Sequence, residues 1–405
     1  MRIAIITEFA ASPGNGFYGG VDSRVISMGR ELGKRHEVHI ITSLQPGQER
    51  TEDHGGVQVH RIGRPRPFVQ RGSLLSRWEF NRECVKEIAR LKPDVVEGSG
   101  FVSYLGSYRS GIKIGRPKMV TVHEVWQGEW TQNMGLINGA IGTILEKAYL
   151  RNPFDRYITV SEFTKAKLAE VGIDPGRISV INSGIDRSIF AGMAPEKFSA
   201  PTILSICRLV PYKKVDMLIR AVAALRTKYP DIRLLVVGKG PEEAPLRQLV
   251  QDLGLSRNVE FLGKVATTEE IVRLLKRSHV FALPSIVEGF GLVVVEAMAA
   301  GTPWVASDLL PIREATGGGL GGRLFRPLDL DDLVRALDET LEQGVAPDPR
   351  IEALVEHYDW SNLARQYERE TALLVEGGDA SRPGPDRSPA HDMVSATVLT
   401  SRQRR

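Results

Sequence analysis

The chain has 405 residues, 42% of them hydrophobic and 25% charged, and its 53 basic and 49 acidic residues leave a net charge of +4. This length predicts two globular domains, and so balanced a charge does not favour nucleic acid as a partner. Cys84 and Cys207 are far apart and lack metal-ligand spacing, so we expect reduced thiols in a soluble cytoplasmic protein. No apolar run approaches the roughly 20 residues that span a bilayer, and we expect a first strand, not a signal peptide, in the opening MRIAIITEF.

Strands and helices alternate through the first half of the chain. Predicted strands lie near residues 2–7, 37–42, 57–62, 95–96, 119–123, 157–161 and 178–181. Predicted helices lie near residues 21–34, 74–91, 137–150 and 162–171. This alternation predicts an α/β domain with a doubly wound parallel sheet over residues 1–190.

The first loop has glycines at 14, 16 and 19, the spacing of a dinucleotide-binding fingerprint. These glycines begin seven residues after the strand, and no Asp or Glu ends the second strand to hold a ribose. Gly19 and Gly20 directly precede the helix, where a residue without a side chain lets the backbone approach a ligand closely. The fingerprint therefore indicates a dinucleotide site only weakly.

His123 ends a predicted strand, so we expect it at the edge of the sheet where doubly wound domains bind ligands. The alternative is a histidine that is hydrogen-bonded locally and has no ligand. Trp126 and Trp130 in the next loop could line an acceptor site or simply pack.

Five arginines lie close together in a proline-containing loop and the helix after it, at positions 61, 64, 66, 71 and 77. A solvated basic face is one interpretation of the region 61–77. The other is attraction of an anionic acceptor or peripheral contact with a membrane surface.

The second half repeats the alternation after a linker at about 181–200. Predicted strands lie near residues 202–206, 233–238, 259–263, 279–283 and 304–307, and predicted helices near 215–228, 242–253, 268–276 and 330–341. We therefore predict a second doubly wound domain over 200–357, with the ligand cleft between the two domains. A final amphipathic helix is predicted over 358–376, and the Gly-, Pro-, Ser- and Arg-rich residues 377–405 predict a disordered tail.

The stretch Pro284–Pro303, PSIVEGFGLVVVEAMAAGTP, follows an apolar run and is typical of a strand, a glycine-containing loop and the start of a helix. Such a helix N-terminus directs unpaired amides at one point and suits a phosphate. Glu288 and Glu296 flank that point, and carboxylates there more plausibly accept hydrogen bonds from a sugar and a ribose. Arg208 and Lys213 also follow a strand and open a helix, where an anion would compensate their charge.

The stretch from Glu288 closely resembles the nucleotide-sugar loop of the retaining glycosyltransferases with the two-domain GT-B fold, a family that includes glycogen synthases and many mannosyltransferases. Arg208 and Lys213 resemble the family's Arg-x4-Lys diphosphate pair. One departure is Lys214, since many members have glycine at that position. The resemblance implies two Rossmann-like domains facing a cleft, with the last helix crossing back to the N-terminal domain.

The resemblance also implies residue roles. It assigns the sugar to His123 and Glu288, and the leaving diphosphate to Arg208 and Lys213. It assigns the rest of the donor to Gly19, Gly20, Gly238, Val265, the amides of Phe290, Gly291 and Leu292, and the ribose contact of Glu296.

The implied reaction moves a sugar from a GDP- or UDP-linked donor to an unidentified acceptor with retention of configuration. It needs no dedicated protein base, no metal and no cofactor. A nucleotide-sugar epimerase of the same fold, an enzyme like glycogen phosphorylase with pyridoxal phosphate and a non-catalytic sugar-nucleotide-binding protein remain as alternatives. The sequence predicts neither the acceptor nor the oligomeric state.

Overall fold

The computed structural model describes residues 1–12, 19–66, 74–128, 130–131, 135–265 and 267–377. Within these ranges the chain forms two compact units, each with its own parallel sheet and hydrophobic core. The first contains Met1–Gly184 together with the last helix, Trp360–Val375, and the second contains Ile185–Asp359.

The unit boundary, between Gly184 and Ile185, lies within the linker expected from the sequence and a few residues before the predicted end of the first domain at 190. Ile185 already forms a bridge with Asp359 inside the second unit, so 185–190 join that unit instead of the first. The predicted tail, from 378 onward, lies outside the described residues.

The first unit is built on a sheet with the strand order β3-β4-β2-β1-β5-β6-β7-β8 among the described residues. Its strands are β1 (Arg2–Thr7), β2 (Glu37–Ser43), β3 (Thr51–Asp53), β4 (Val57–Ile62), β5 (Val95–Ser99), β6 (Lys118–Val122), β7 (Arg156–Thr159) and β8 (Ile178–Val180). Only β3 pairs in the antiparallel sense. Its helices are α1 (Gly20–Gly33), α2 (Leu74–Leu91), α3 (Tyr104–Ile114), α4 (Leu136–Leu150) and α5 (Glu162–Glu170).

The second unit is built on a parallel sheet with the order β11-β10-β9-β12-β13-β14. Its strands are β9 (Thr202–Ile206), β10 (Arg233–Val237), β11 (Val259–Gly263), β12 (Val280–Leu283), β13 (Trp304–Ser307) and β14 (Gly322–Phe325). Its helices are α6 (Arg187–Phe190), α7 (Val215–Leu225), α8 (Glu243–Asp252), α9 (Thr268–Arg277), α10 (Leu292–Ala299), α11 (Leu310–Ala315), α12 (Leu330–Gln343) and α13 (Pro349–His357), and α14 (Trp360–Val375) follows.

Helix α14 packs in the first unit, which confirms the predicted crossing helix. Trp360, Leu363 and Tyr367 fall on one helical face and join Val25 of α1 in a single hydrophobic cluster. The buried Tyr367 hydroxyl donates a hydrogen bond to the Glu97 carboxylate of β5. A buried tyrosine hydroxyl needs such a partner, so the hydrophobic packing and the Tyr367–Glu97 hydrogen bond both hold α14 against the first unit.

No helix in the described ranges combines the length and the apolar character needed to cross a bilayer.

Candidate functional site

The strand order of the second unit places two loops side by side. From β9 the chain moves through β10 to β11 in one direction, and β12 then begins on the other side of β9. The loops that leave the carboxyl ends of β9 and β12 therefore diverge at a topological switch point, the usual ligand site of an open parallel sheet. These are the loops that hold Arg208, Lys213 and Glu288.

The loop after β12 holds the start of α10 in one position. Gly291 has a φ of 92°, and a Cβ there would lie 2.3 Å from Cδ1 of Ile312, so both conformation and space require glycine. Phe290 is only 4% exposed and packs edge-on against Tyr358, with ring centroids 5.2 Å apart. The loop is therefore anchored by its own side chains.

The anchored loop leaves backbone donors unused. The amides of Phe290, Gly291 and Leu292 have no hydrogen-bond partner among the described residues. Unpaired amides at a helix N-terminus, with the positive end of the helix dipole behind them, form an anion-binding site.

The loop after β9 supplies cations beside that helix. Lys213 Nζ lies 2.7 Å from Glu288 Oε1, and the two side chains are 12% and 10% exposed. Arg208 Nη2 donates to the Tyr212 hydroxyl at 2.7 Å, and the Tyr212 carbonyl accepts from the amide of Ile286 at 2.9 Å. The structure thus brings together the two predicted cations and the predicted Glu288, and it adds Tyr212, which ties the two loops and which sequence reasoning missed.

Lys214 occupies the position at which the sequence departs from the resembling family. Its backbone is left-handed, with φ 51° and ψ 38°. An L-residue adopts this conformation at a cost of about 1–2 kcal/mol, whereas glycine does so freely. The backbone therefore explains why glycine suits this position, and it gives Lys214 no requirement for its charge.

Glu296 sits in the first turns of α10 without a partner. It is half-buried, and its carboxylate has no hydrogen bond or ion pair among the described residues. Burial raises the pKa of Glu296 to about 7, since removing the charge from water disfavours ionisation. A carboxylate placed in this way gains most from a ligand that donates hydroxyl groups to it.

Gly238 has a packing role. Its φ is 133°, and a Cβ there would lie 1.9 Å from the carbonyl oxygen of Cys207, so any side chain would collide with the loop after β9. Its amide donates to the Gly263 carbonyl at 2.7 Å, and Val265, predicted to meet the base, is half-buried just beyond. The structure thus places Gly238 directly against the loop that carries Arg208.

The candidate residues of the first unit lie at the carboxyl edge of its sheet. His123 follows β6, and its Nε2 lies 3.1 Å from Ser99 Oγ at the end of β5. Burial, and secondarily the charge of Arg24, lower the pKa of His123 to about 3, so the ring is neutral at pH 7. It can give or take a neutral hydrogen bond but does not act as a cation.

Gly19 and Gly20 have no intramolecular reason to be glycine. Among the described residues, no atom lies within 4 Å of a Cβ built on either residue, and neither has a left-handed φ. The open space beside the backbone of both glycines favours the predicted close approach of a ligand. The fingerprint glycines 14 and 16 lie outside the described residues.

Trp126 and Trp130 are engaged in packing. Both surround Glu146, which accepts from the Trp126 amide at 3.0 Å and from Trp130 Nε1 at 3.0 Å. The Trp130 ring fills the space left by Gly142, where a Cβ would come within 2.4 Å of it. Of the two interpretations that the sequence left open, the contacts favour packing.

The basic region 61–77 is largely neutralised. The buried Arg61 is paired with Glu52 at 2.7 Å, and Arg66 and Arg77 both contact Glu8, at 3.3 and 3.2 Å. Arg64 is exposed, and position 71 lies outside the described residues. The expectation of a solvated basic face is therefore wrong for three of the five arginines. Because these three are paired with carboxylates, most of the positive charge that suggested membrane contact in this region is neutralised.

No metal-ligand cluster accompanies the site. Within the part of the chain that the structure describes, no group of three His, Cys, Asp or Glu side chains is placed to bind a metal.

Two family models match the chain, Glycosyltransferase Family 4 over residues 18–189 and Glycosyl transferases group 1 over residues 194–354. An MMP alpha-(1->4)-mannosyltransferase of Mycolicibacterium hassiacum is 31% identical over 65% of this chain and 68% of that protein. A D-inositol 3-phosphate glycosyltransferase of Mycobacterium marinum is 28% identical over 89% of this chain and 82% of that protein.

Solved structures share the fold at lower identity. Sucrose-phosphate synthase from Thermosynechococcus elongatus has a TM-score of 0.78 at 22% identity, covering 93% of this chain and all of that one. Anabaena Alr3699/HepE, solved with UDP and glucose, has a TM-score of 0.71 at 19% identity, covering 92% of this chain and all of that one. These likenesses confirm the predicted GT-B architecture.

Replacing Lys214 with glycine should stabilise the protein. Relief of the left-handed strain exceeds the extra chain entropy that glycine loses on folding, so we expect Lys214→Gly to raise the free energy of unfolding by about 0.5–1 kcal/mol. Urea denaturation measures the difference. Lys214→Ala removes the same charge but keeps the Cβ, so it should not stabilise; equal stability of the two variants would contradict the strain.

Glu296 should make stability depend on pH. Because its folded pKa lies near 7 and its unfolded pKa near the ordinary value of 4.5, the folded state binds more protons between these two pH values. The contribution to stability is therefore fully present below pH 4.5 and is lost as pH rises to 7.

Glu296→Gln should remove this dependence. The unfolding free energy of this variant minus that of wild type should therefore rise by on the order of 1–3 kcal/mol as the pH is raised from 5 to 8. Urea denaturation at each pH measures this difference. Glu376→Gln, a change at an exposed carboxylate, is the matched control. A constant difference between Glu296→Gln and wild type across this range would show that Glu296 is not a buried acid.

Proposed function

Because the chain belongs to glycosyltransferase family 4, we propose that it transfers a sugar from a nucleoside-diphosphate sugar to a hydroxyl acceptor with retention of configuration. The observation that carries this proposal is the group of unpaired amides at the start of α10, with Arg208 and Lys213 beside them. Such a group suits the two phosphates of a nucleoside diphosphate, and it suits them most as charge builds on the leaving group.

Lys213 and Glu288 are proposed to act as one unit. Glu288 Oε1 holds the ammonium at 2.7 Å, whereas its Oε2 has no partner among the described residues. Lys213 can then offer its remaining protons to a phosphate oxygen, while Oε2 accepts from a hydroxyl of the transferred sugar. The pair would place the sugar and the diphosphate on its two sides.

Glu296 is proposed to accept hydrogen bonds from the ribose. Its carboxylate is half-buried and without a partner in the described chain, and its raised pKa reflects that lack of compensation. Two hydroxyl donors would stabilise the ionised form and lower that pKa.

His123, Gly19 and Gly20 keep the roles that the resemblance implies. The neutral His123 ring, oriented by Ser99 at 3.1 Å, would hydrogen-bond to the transferred sugar without adding charge. The open backbone at Gly19 and Gly20 would let a diphosphate come close.

The proposed reaction breaks the bond between the anomeric carbon and the diphosphate oxygen while the acceptor oxygen attacks from the same face. The departing phosphate takes the acceptor proton, so no protein base is assigned. Arg208, Lys213 and the α10 amides stabilise the negative charge that develops, and the proposal assigns no step to a metal or cofactor. Both cysteines are free thiols, which fits the cytoplasmic location that we propose.

Four variants separate the two sides of the donor. Arg208→Ala and Lys213→Ala each remove a charge-assisted contact of about 1.5–3 kcal/mol, so each should weaken binding of a bare nucleoside diphosphate by about ten- to a hundredfold. Glu288→Ala frees Lys213 and removes a negative charge, so diphosphate affinity should stay near wild type or rise while sugar transfer collapses. Glu296→Ala should weaken binding of diphosphate and sugar nucleotide alike.

Isothermal titration calorimetry with UDP and GDP measures these affinities, and Arg220→Ala, at an exposed arginine of α7, is the matched control. If Glu288→Ala lost diphosphate affinity as severely as Arg208→Ala, the assignment of Glu288 to the sugar would be wrong.

A further inference from the structure

Exposed apolar side chains are concentrated on one part of the first unit. Of the seven large apolar side chains that are most exposed among the described residues, six lie on three helices: Leu75 and Trp78 on α2, Ile112 on α3, and Leu136, Ile141 and Ile144 on α4. The seventh, Leu328, lies in the second unit. Single exposed apolar residues are ordinary, whereas a cluster of them marks an interaction surface.

The strand order places these three helices on one face of the sheet. Helix α2 connects β4 to β5, α3 connects β5 to β6, and α4 connects β6 to β7, each crossing the sheet in the same direction. Right-handed crossovers therefore put all three on the same side, and α3 contacts both of its neighbours. Helix α1 runs from β1 to β2 in the opposite direction, so it lies on the other side, where α14 packs against it.

Helix α4 exposes large apolar side chains to solvent and buries mostly small or polar residues. Its inner face consists of the buried Gly139, Gly142, Glu146 and Leu150, of which the first three contact the segment that carries Trp130. The opposite face presents Ile141, 43% exposed, and Ile144, 67% exposed, and Leu136, 81% exposed, lies at its edge. The side of α4 that faces solvent is thus its more apolar side.

On α3 and α4, the exposed charges that the structure describes are all positive. Five exposed cations without an ion pair in the described chain lie on or next to α3 and α4: Arg109, Lys113, Arg116, Lys147 and Arg151. The described residues between 100 and 152 include only two carboxylates. Glu146 is buried, and Glu124 accepts a hydrogen bond from Trp126 at 2.6 Å. By contrast, the exposed arginines and lysines of α2 are paired with Glu83 and Glu87.

Cations and apolar side chains alternate around the same helical surface. On α4, successive residues are 100° apart, so Lys147 and Arg151 project between Leu136 and Ile144. On α3, Arg109 lies between Ile112 and Lys113 around the helix. A helix with this pattern lies in the plane of a bilayer interface, with apolar side chains among the acyl chains and cations at the head groups.

We propose that this outer face of α3 and α4 docks the protein on an anionic lipid bilayer. The unpaired cations would each meet an anionic head group, and Leu136, Ile141 and Ile144 would enter the boundary of the acyl region. A second copy of the chain is a poorer occupant, because a two-fold contact would bring the same cations against one another. Nucleic acid would neutralise the cations but leave the apolar side chains without a partner.

Cosedimentation of the full chain with vesicles tests the docking. Wild type should pellet with vesicles of phosphatidylglycerol and phosphatidylcholine, and much less with phosphatidylcholine alone or at high salt. Leu136→Gln combined with Ile144→Gln should lower the partition constant by at least tenfold. Lys113→Glu combined with Lys147→Glu should lower it by about 25-fold or more, since each cation near an anionic surface contributes about fivefold.

Matched controls lie in the second unit. Leu328→Gln changes an equally exposed apolar residue, and Arg220→Glu combined with Arg257→Glu reverses two exposed cations without an ion pair in the described chain. Both should bind vesicles as wild type does. All variants should keep the wild-type melting temperature and affinity for UDP or GDP, which shows that they are folded.

The proposal would be overturned if the wild-type protein did not bind anionic vesicles, or if it bound neutral vesicles equally well. It would also be overturned if the control variants lost as much vesicle binding as the α3 and α4 variants. A change in oligomeric mass by light scattering in Leu136→Gln/Ile144→Gln, without lipid binding by wild type, would make the face an interface between copies. Binding to DNA or RNA, but not to vesicles, would assign it to nucleic acid.

Discussion

The site depends on one steric constraint, the fixed start of α10. Gly291 is held in the left-handed region against Ile312, and Phe290 is held in the core against Tyr358. A loop fixed at both residues cannot turn these amides toward carbonyl oxygens of the protein, so the amides remain available to a ligand. Preorganised donors of this kind stabilise developing charge without first having to reorient.

The charged side chains near the start of α10 include an ion pair whose cation and carboxylate suit different parts of a donor. Lys213 and Glu288 lie within 2.7 Å of each other, so the cation is positioned without a phosphate and the carboxylate is tolerated close to one. Tyr212 joins both loops through its hydroxyl and its carbonyl. Glu296 has no such partner among the described residues, and burial raises its pKa to about 7. The paired groups suit the charged half of a donor and the unpaired group suits its neutral hydroxyls.

The sequence predicted the parts of this arrangement that depend on local pattern. The local pattern predicted a strand, a glycine loop and a helix at Pro284–Pro303. It also predicted the alternation of strands and helices in two doubly wound domains and the crossing helix. Contacts across the sheet were not readable: the Lys213–Glu288 pair joins residues 75 positions apart, and Tyr212 had no motif. The same limit applied to Arg66 and Arg77, whose partner Glu8 is 58 and 69 positions away. Helix α3 was also missed, because its apolar pattern is short.

The central claim is that the second unit binds a diphosphate at the start of α10. The most direct measurement compares UDP with UMP, and GDP with GMP, by titration calorimetry on the wild-type protein. Arg208, Lys213 and the unpaired amides should give at least one diphosphate an affinity about tenfold or more above its monophosphate, since a further charge-assisted contact contributes about 1.5–3 kcal/mol. Equal affinity for monophosphate and diphosphate, or binding of neither diphosphate, would contradict the account.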